Sequence, residues 1–148
     1  MPVEDLPLKG ANRKKLVMIP DSHIDLLAWE TRSFAHLATI GPDGEPQTSP
    51  VWFEWDGTHI KFSLTTNRQK YRNLQSDKRA AFSVIDPENA YRYIEIRGEL
   101  DDIEPDPEID FISRKAKKYI DKERYPWHQE VDERVVMKVK PTKISGMG

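Results

Sequence analysis

From Phe34 onward the period changes to that of strands, with alternation over residues 58–64, 91–100 and 134–139, and turns bearing glycine or proline break the strands at short intervals. A two-residue period sends side chains alternately to the two faces of an extended chain, so it fits a half-buried sheet and resists a helix. Residues 34–40 read as a strand, Gly41-Pro42-Asp43-Gly44 as a turn, and residues 47–55 as the returning strand. Asp56-Gly57 tolerates positive φ and predicts a type I′ hairpin into residues 58–64, where Ile60 and Phe62 alternate with His59, Lys61 and Ser63. Residues 80–85, 91–100 and 134–139 complete six strands. The expected architecture is mainly β: a six-stranded antiparallel barrel with short flanking helices.

The helices are read from their ends. Asp21 or Ser22 supplies a cap for a short helix holding Ile24, Leu26, Leu27 and Trp29. Thr66 and Gln69 have the spacing of a capping box, which predicts a helix to about Ser76. The seven acids between Glu99 and Asp110, with Pro105 and Pro107, read as a connection into a helix over residues 107–120. That helix carries acids first and Arg114, Lys115, Lys117 and Lys118 later, which complements its dipole and fits a solvated face. Residues 1–20 hold three prolines and the bases Lys9, Arg13, Lys14 and Lys15. They read as an extended arm ahead of a single domain over 21–148.

Composition removes several functions. A chain of 148 residues suits one hydrophobic core. It has no cysteine, which excludes a disulfide scaffold, a thiol nucleophile and thiolate metal ligands. With 23 basic and 25 acidic residues the net charge is −2, giving no general attraction to nucleic acid. No run approaches the ~18–20 apolar residues of a membrane helix. The first eleven residues hold no signal-peptide core, so the expected location is cytoplasmic. The four histidines lack metal-ligand spacing, and no nucleophile elbow or phosphate-binding glycine loop occurs. The cluster Trp52, Phe53 and Trp55 fits a core or a dimer interface.

The most informative segment is 61–79, whose bases are Lys61, Arg68, Lys70, Arg72, Lys78 and Arg79 and whose one acid is Asp77. Arg68 and Lys70 fall in the first turn of the expected helix, where unpaired N–H groups already present positive charge, and each misplaced base costs about 0.3–1 kcal/mol. A bound anion such as a phosphate would offset that cost. A solvated basic face, or an ion pair with an acid elsewhere, would do so equally.

The order of elements resembles a known family. Ser49-Pro50-Val51-Trp52-Phe53, the run Phe62-Ser63-Leu64-Thr65-Thr66-Asn67-Arg68-Gln69-Lys70-Tyr71-Arg72-Asn73-Leu74, and Asp86-Pro87-Glu88-Asn89 leading to Tyr91-Arg92-Tyr93 are similar to the split β-barrel flavin and deazaflavin oxidoreductases related to pyridoxamine 5′-phosphate oxidase. The likeness is strongest to the class using coenzyme F420. It implies that Arg68 and Lys70 hold the cofactor phosphate and that Ser63 and Thr65 lie on the strand leading to them. It also implies that Ser49, Pro50, Val51 and Trp52 lie along the ring system, and that Asn73 belongs to the same run. The pocket of such proteins lies between two protomers, so Tyr91 and Tyr93 are expected to reach the partner's cofactor, with Trp127 and His128 at the mouth. The implied chemistry is hydride transfer by a homodimer using F420, with FMN as the alternative cofactor. The small-molecule substrate is unsaturated or quinone-like, and no catalytic acid or base is named. A non-catalytic carrier of a flavin or tetrapyrrole is the contrasting possibility.

Overall fold

The computed structural model describes residues 6–7 and 15–148, with side chains from residue 17 onward. The cluster Lys9, Arg13 and Lys14 therefore lies outside the described residues. Two short strands, β1 (Leu6–Pro7) and β2 (Lys15–Leu16), pair antiparallel, and a 3₁₀ helix follows over Ile24–Leu27. The remaining elements are β3 (Ala35–Ile40), β4 (Pro46–Val51), β5 (Glu54–Trp55), β6 (Ile60–Thr65), α1 (Gln69–Ser76), β7 (Arg79–Asp86), β8 (Asn89–Pro105), α2 (Asp110–Ile120) and β9 (Arg134–Met147). Seven strands form one antiparallel sheet in the order β4-β3-β7-β8-β9-β6-β5.

Alternation places the core. Leu37, Phe62, Phe82, Ile94, Ile96 and Met137 are almost wholly buried, and Phe62 meets Phe82 edge-on at 5.8 Å between centroids. Among the outward residues of the same strands are His36, Lys61, Ser63, Ser83, Glu95 and Arg97, as the two-residue period predicts. No described helix is long and apolar enough to cross a membrane.

Several expectations are corrected. Residues 47–55 form two strands, because the chain leaves β4 at Val51 and joins β5 at Glu54, on the opposite edge of the sheet. The acid-rich connection is strand as far as Pro105: Lys138 on β9 lies between Asp102 (3.9 Å) and Glu104 (2.5 Å), which lets carboxylates line an exposed ladder. The last strand continues to Met147, beyond a register shift between Arg97 and Gly98 that hides its period. Gly98 is required at that shift, since a Cβ there would meet the Lys140 carbonyl.

Local chemistry differs too. Of the Asp56-Gly57 pair only Gly57 has positive φ (95°), so the type I′ turn, which needs two such residues, does not form. Instead Asp56 Oδ1 accepts from the Thr58 and His59 N–H groups at 2.8 and 2.7 Å. Thr66 does not cap α1: Arg68, still extended, holds the position before the first helical residue, no side chain caps the helix, and the Thr66 N–H donates to the Glu133 carbonyl. His23, not Asp21 or Ser22, precedes the 3₁₀ helix, and no side chain caps it. Helix α2 starts at Asp110, where buried Asp106 accepts from the N–H groups of Asp110 and Phe111 at 2.9 and 3.2 Å. Its bases are not all solvated: Lys115 and Lys118 are buried, while Arg114 and Lys117 are exposed.

Candidate functional site

Because β4 and β5 are opposite edges of the sheet yet neighbours in sequence, residues 52–53 carry the chain across a seam. Phe53 plugs the core there, with no exposed surface. Trp52 stays beside the surface and stacks on Tyr119 of α2, with centroids 5.4 Å apart and planes 6° from parallel. A cleft of about 250 Å³ opens at this seam. One wall is Pro50, Val51 and Trp52; the other is Ser63, Leu64 and Thr65 of β6. The two strands face each other without pairing in the ladder.

Helix α1 brings charge to the end of the cleft. Lys70 is 7% exposed, and its Nζ donates to Ser49 Oγ at 3.0 Å. Burial, and then the neighbouring Arg68, push the Lys70 ammonium below its ordinary value. Arg68 itself is exposed and lines the same space. Thr65 is buried and its hydroxyl donates to Asn67 Oδ1 at 2.6 Å, closing the turn between β6 and α1. Among the described residues neither Arg68 nor Lys70 forms an ion pair. The two cations thus face the cleft without a carboxylate among the described residues.

Asn73 has a different place. Its Nδ2 donates to Thr39 Oγ1 (3.1 Å) and Gln47 Oε1 (2.9 Å), and its Oδ1 accepts from Gln69 Nε2 (2.8 Å). This network fastens α1 to β3 and β4, and Asn73 does not line the cleft. Tyr91, 82% exposed, and Tyr93, paired with Ile85 and Met147, do not line it either. Trp127 borders the cleft as expected, whereas His128 does not and keeps a buried, unpartnered Nδ1.

Sequence reasoning missed Phe34, Ile112, Tyr125 and Arg134, all of which line the cleft. Arg134 Nη1 donates to Ser63 Oγ at 3.1 Å, and the guanidinium carbon stands 4.9 Å from the Tyr125 ring centroid. Tyr125 is held by its N–H donating to Ser113 Oγ at 3.0 Å, and it meets Trp52 and Trp127 edge-on at 6.2 and 5.6 Å. The alternation of β9 already set Arg134 on the face opposite Val135; nothing local marked Tyr125. Behind this wall, Glu54 of β5 accepts from Arg114 Nε (2.9 Å) and buried Lys115 Nζ (2.8 Å), tying α2 over the seam. Burial opposes ionisation of Glu54, but these bonds outweigh it and hold the carboxyl at about 2.

The arrangement suits a flat molecule with an anionic end: aromatic rings on one side, hydroxyls and unpaired cations on the other. Among the described residues no histidine or carboxylate lines the cleft. Among the described residues no group of three histidine or acidic side chains could hold a metal ion.

Comparison with known proteins agrees with this geometry. The family model for pyridoxamine 5′-phosphate oxidase matches residues 25–148. A solved structure described as an F420 reductase is 42% identical, covers 86% of this chain and 98% of its own, and superposes with a TM-score of 0.78. A conserved hypothetical protein of Mycobacterium tuberculosis is 24% identical over 87% of this chain and 84% of its own, with a TM-score of 0.66. A proposed pyridoxamine 5′-phosphate oxidase of Listeria innocua shares the fold at 19% identity, over 85% of this chain and 95% of its own, with a TM-score of 0.61. No curated protein matches. The chain belongs to the pyridoxamine 5′-phosphate oxidase-like split β-barrel family of flavin and deazaflavin oxidoreductases.

Proposed function

We propose that the protein is a cytoplasmic, homodimeric F420-dependent reductase acting on an unsaturated or quinone-like small molecule. The observation that carries this reading is the pair Arg68 and Lys70, converging without a described carboxylate on the open end of the seam cleft. The 42% identical structure described as an F420 reductase favours the deazaflavin over FMN. In this reading residues 21–148 form the cofactor-binding domain, and the bases of the arm over 1–20 meet the acidic tail that distinguishes F420 from FMN.

The residues present fit such a group. Arg68 and Lys70 would hold the phosphate by charge-assisted hydrogen bonds. Ser49 orients the Lys70 ammonium at 3.0 Å, and Ser63 and Thr65 present the polar side of β6. Pro50, Val51 and Trp52 form the wall for the ring, and Trp52 is kept in place by its stack on Tyr119. When bound, reduced F420 supplies a hydride from its ring carbon. The protein's part is to bind, orient and exclude water. The described cleft, at about 250 Å³, is smaller than the ~300–1,000 Å³ of most ligand sites. A second protomer completing it, with Tyr91 and Tyr93 contributed across the interface, accounts for the difference, and Asn73 acts by positioning α1.

The test is a titration with F420 and FMN side by side, together with sedimentation of the free protein. Tighter binding of F420 and a dimer are expected. Preference for FMN would replace the coenzyme by its alternative, and failure to bind either would end the reading. Binding without turnover of reduced coenzyme would favour a carrier.

A further inference from the structure

Arg134 stands apart from the other two cations of the cleft. Arg68 and Lys70 belong to the start of α1, whereas Arg134 opens β9 in register with Thr65. Its side chain turns back along β6 to Ser63, two positions before Thr65 and so about 7 Å away by strand rise. Ser63 Oγ accepts from Nη1, and the guanidinium carbon stands over the Tyr125 ring at 4.9 Å from its centroid. Nε is buried with no partner among the described residues, and no described carboxylate pairs with Arg134. A guanidinium fixed on one corner and one face, with its donors incompletely used, is prepared for an acceptor; such donors are costly to leave unsatisfied. The surface beside it is aromatic: Trp52 and Trp127 flank Tyr125 edge-on.

We propose that Arg134, with the surface formed by Trp52, Tyr125 and Trp127, is a second anion subsite in the cleft, taking a flat conjugated molecule with a carboxylate or comparably polarised oxygen. The planar fork of arginine pairs with such a group in its own plane, and the rings cover the conjugated body. The proposal rests on reading the cleft as a ligand site and is independent of which coenzyme binds there. The oxygen belongs to the electron-accepting substrate or to the coenzyme ring, and the experiment separates the two.

Calorimetric titration of the full chain with 2-naphthoate and its uncharged analogue 2-naphthamide provides the test. Wild-type protein is expected to prefer the carboxylate. Arg134→Gln should weaken naphthoate binding about tenfold or more and abolish the preference. Arg134→Lys should retain part of it, and Tyr125→Leu should weaken both ligands. Naphthamide binding and the thermal midpoint report that each variant is folded. Equal affinity of the two probes for wild type, or an unchanged preference in both Arg134 variants, would overturn the subsite. An equal loss of F420 affinity in Arg134→Gln assigns the oxygen to the coenzyme; naphthoate binding alongside F420 assigns it to the substrate. A wild-type protein that binds F420 but ignores the charge of the probe refutes this proposal alone. One that binds no coenzyme yet keeps the preference refutes only the reductase reading.

Discussion

Replacing Lys70 by Met separates binding from folding. Methionine keeps the length and apolar stem of a side chain that is 7% exposed, and removes the ammonium. Two effects on the free protein oppose each other. The Nζ–Oγ hydrogen bond to Ser49 is lost, which costs about 1 kcal/mol. A buried cation beside Arg68, with no described carboxylate, is also removed, and relief of that burial offsets a similar amount. The expected change in stability is therefore within about 1 kcal/mol of zero. Binding has no such compensation: one charge-assisted hydrogen bond to an anion contributes about 1.5–3 kcal/mol, which is roughly a 10- to 150-fold loss in affinity. Denaturant unfolding and an F420 titration of the same preparation measure both. Inorganic phosphate should raise the unfolding midpoint of wild type and raise that of the variant less, since stabilisation follows the occupied fraction of a site. The pH dependence has a definite sign. The folded-state value of Lys70 is lowered, so the folded protein sheds that proton before the unfolded chain does. Ligand-free stability therefore climbs as pH rises from the folded value toward the ordinary 10.5, and the variant lacks that part of the climb. A variant several kcal/mol less stable with unchanged affinity would refute the reasoning and make Lys70 a tie between α1 and β4.

Other substitutions test the scaffold around the site. Asn73→Ala removes three hydrogen bonds and leaves Thr39, Gln47 and Gln69 without that partner. A loss of about 1–3 kcal/mol in denaturant unfolding is expected, with weaker phosphate binding as α1 loosens; wild-type values in both would show that the network does not hold the helix. Glu54→Gln leaves the buried Lys115 without its carboxylate and should cost about 3 kcal/mol. In wild type the Glu54 carboxyl is held at about 2, so its stabilising effect is complete above the ordinary 4.5 and is lost as pH falls toward 2. Acid unfolding of the variant should lack that component, and superimposable acid curves would refute it. Gly98→Ala pushes a methyl group into the Lys140 carbonyl and should cost about 1–3 kcal/mol; a neutral result would mean that the β8–β9 shift relaxes freely.

The sequence revealed strands where one face packs and the other meets water. Residues 35–40, 60–65 and 80–84 kept their period because their ladders run without a register shift along one side of the core. The period failed in the long strands for two reasons. Register shifts at Arg97/Gly98 and Leu100/Asp102 move residues between faces, so a strict alternation no longer describes β8 against β9. The acids of β8, with their two prolines, also read as a connection, whereas Lys138 on the neighbouring strand lies between two of them and the segment is strand. Lys115 and Lys118 show the same limit in a helix. Both are buried, Lys115 against Glu54 and Lys118 with its Nζ donating to the Ala28 carbonyl at 3.1 Å. Neither partner is on α2, so the charge order along the helix could not distinguish them from solvated lysines.

The cleft divides along the same line. Its cationic end comes from one segment, residues 68–70, and became visible because bases at a helix start lack a local reason to be there. The placement of the two cations does not depend on the cap: Thr66 was expected to cap the helix, yet α1 begins only at Gln69, three residues after β6, and Arg68 and Lys70 still line the cleft. The aromatic end is assembled from three distant places, Phe34 before β3, Trp52 at the seam, and Tyr125 and Trp127 after α2, with Arg134 joining them from the start of β9. Spacing within a segment reports on contacts made within that segment or along one face; it is silent on a wall closed by sheet topology. The crossing from β4 to β5 is what brings these pieces together, since it sets the two sheet edges on either side of Trp52. A site at such a closure is therefore half legible by necessity: the helix end announces its charge, and the rings become neighbours only once the strand order is known.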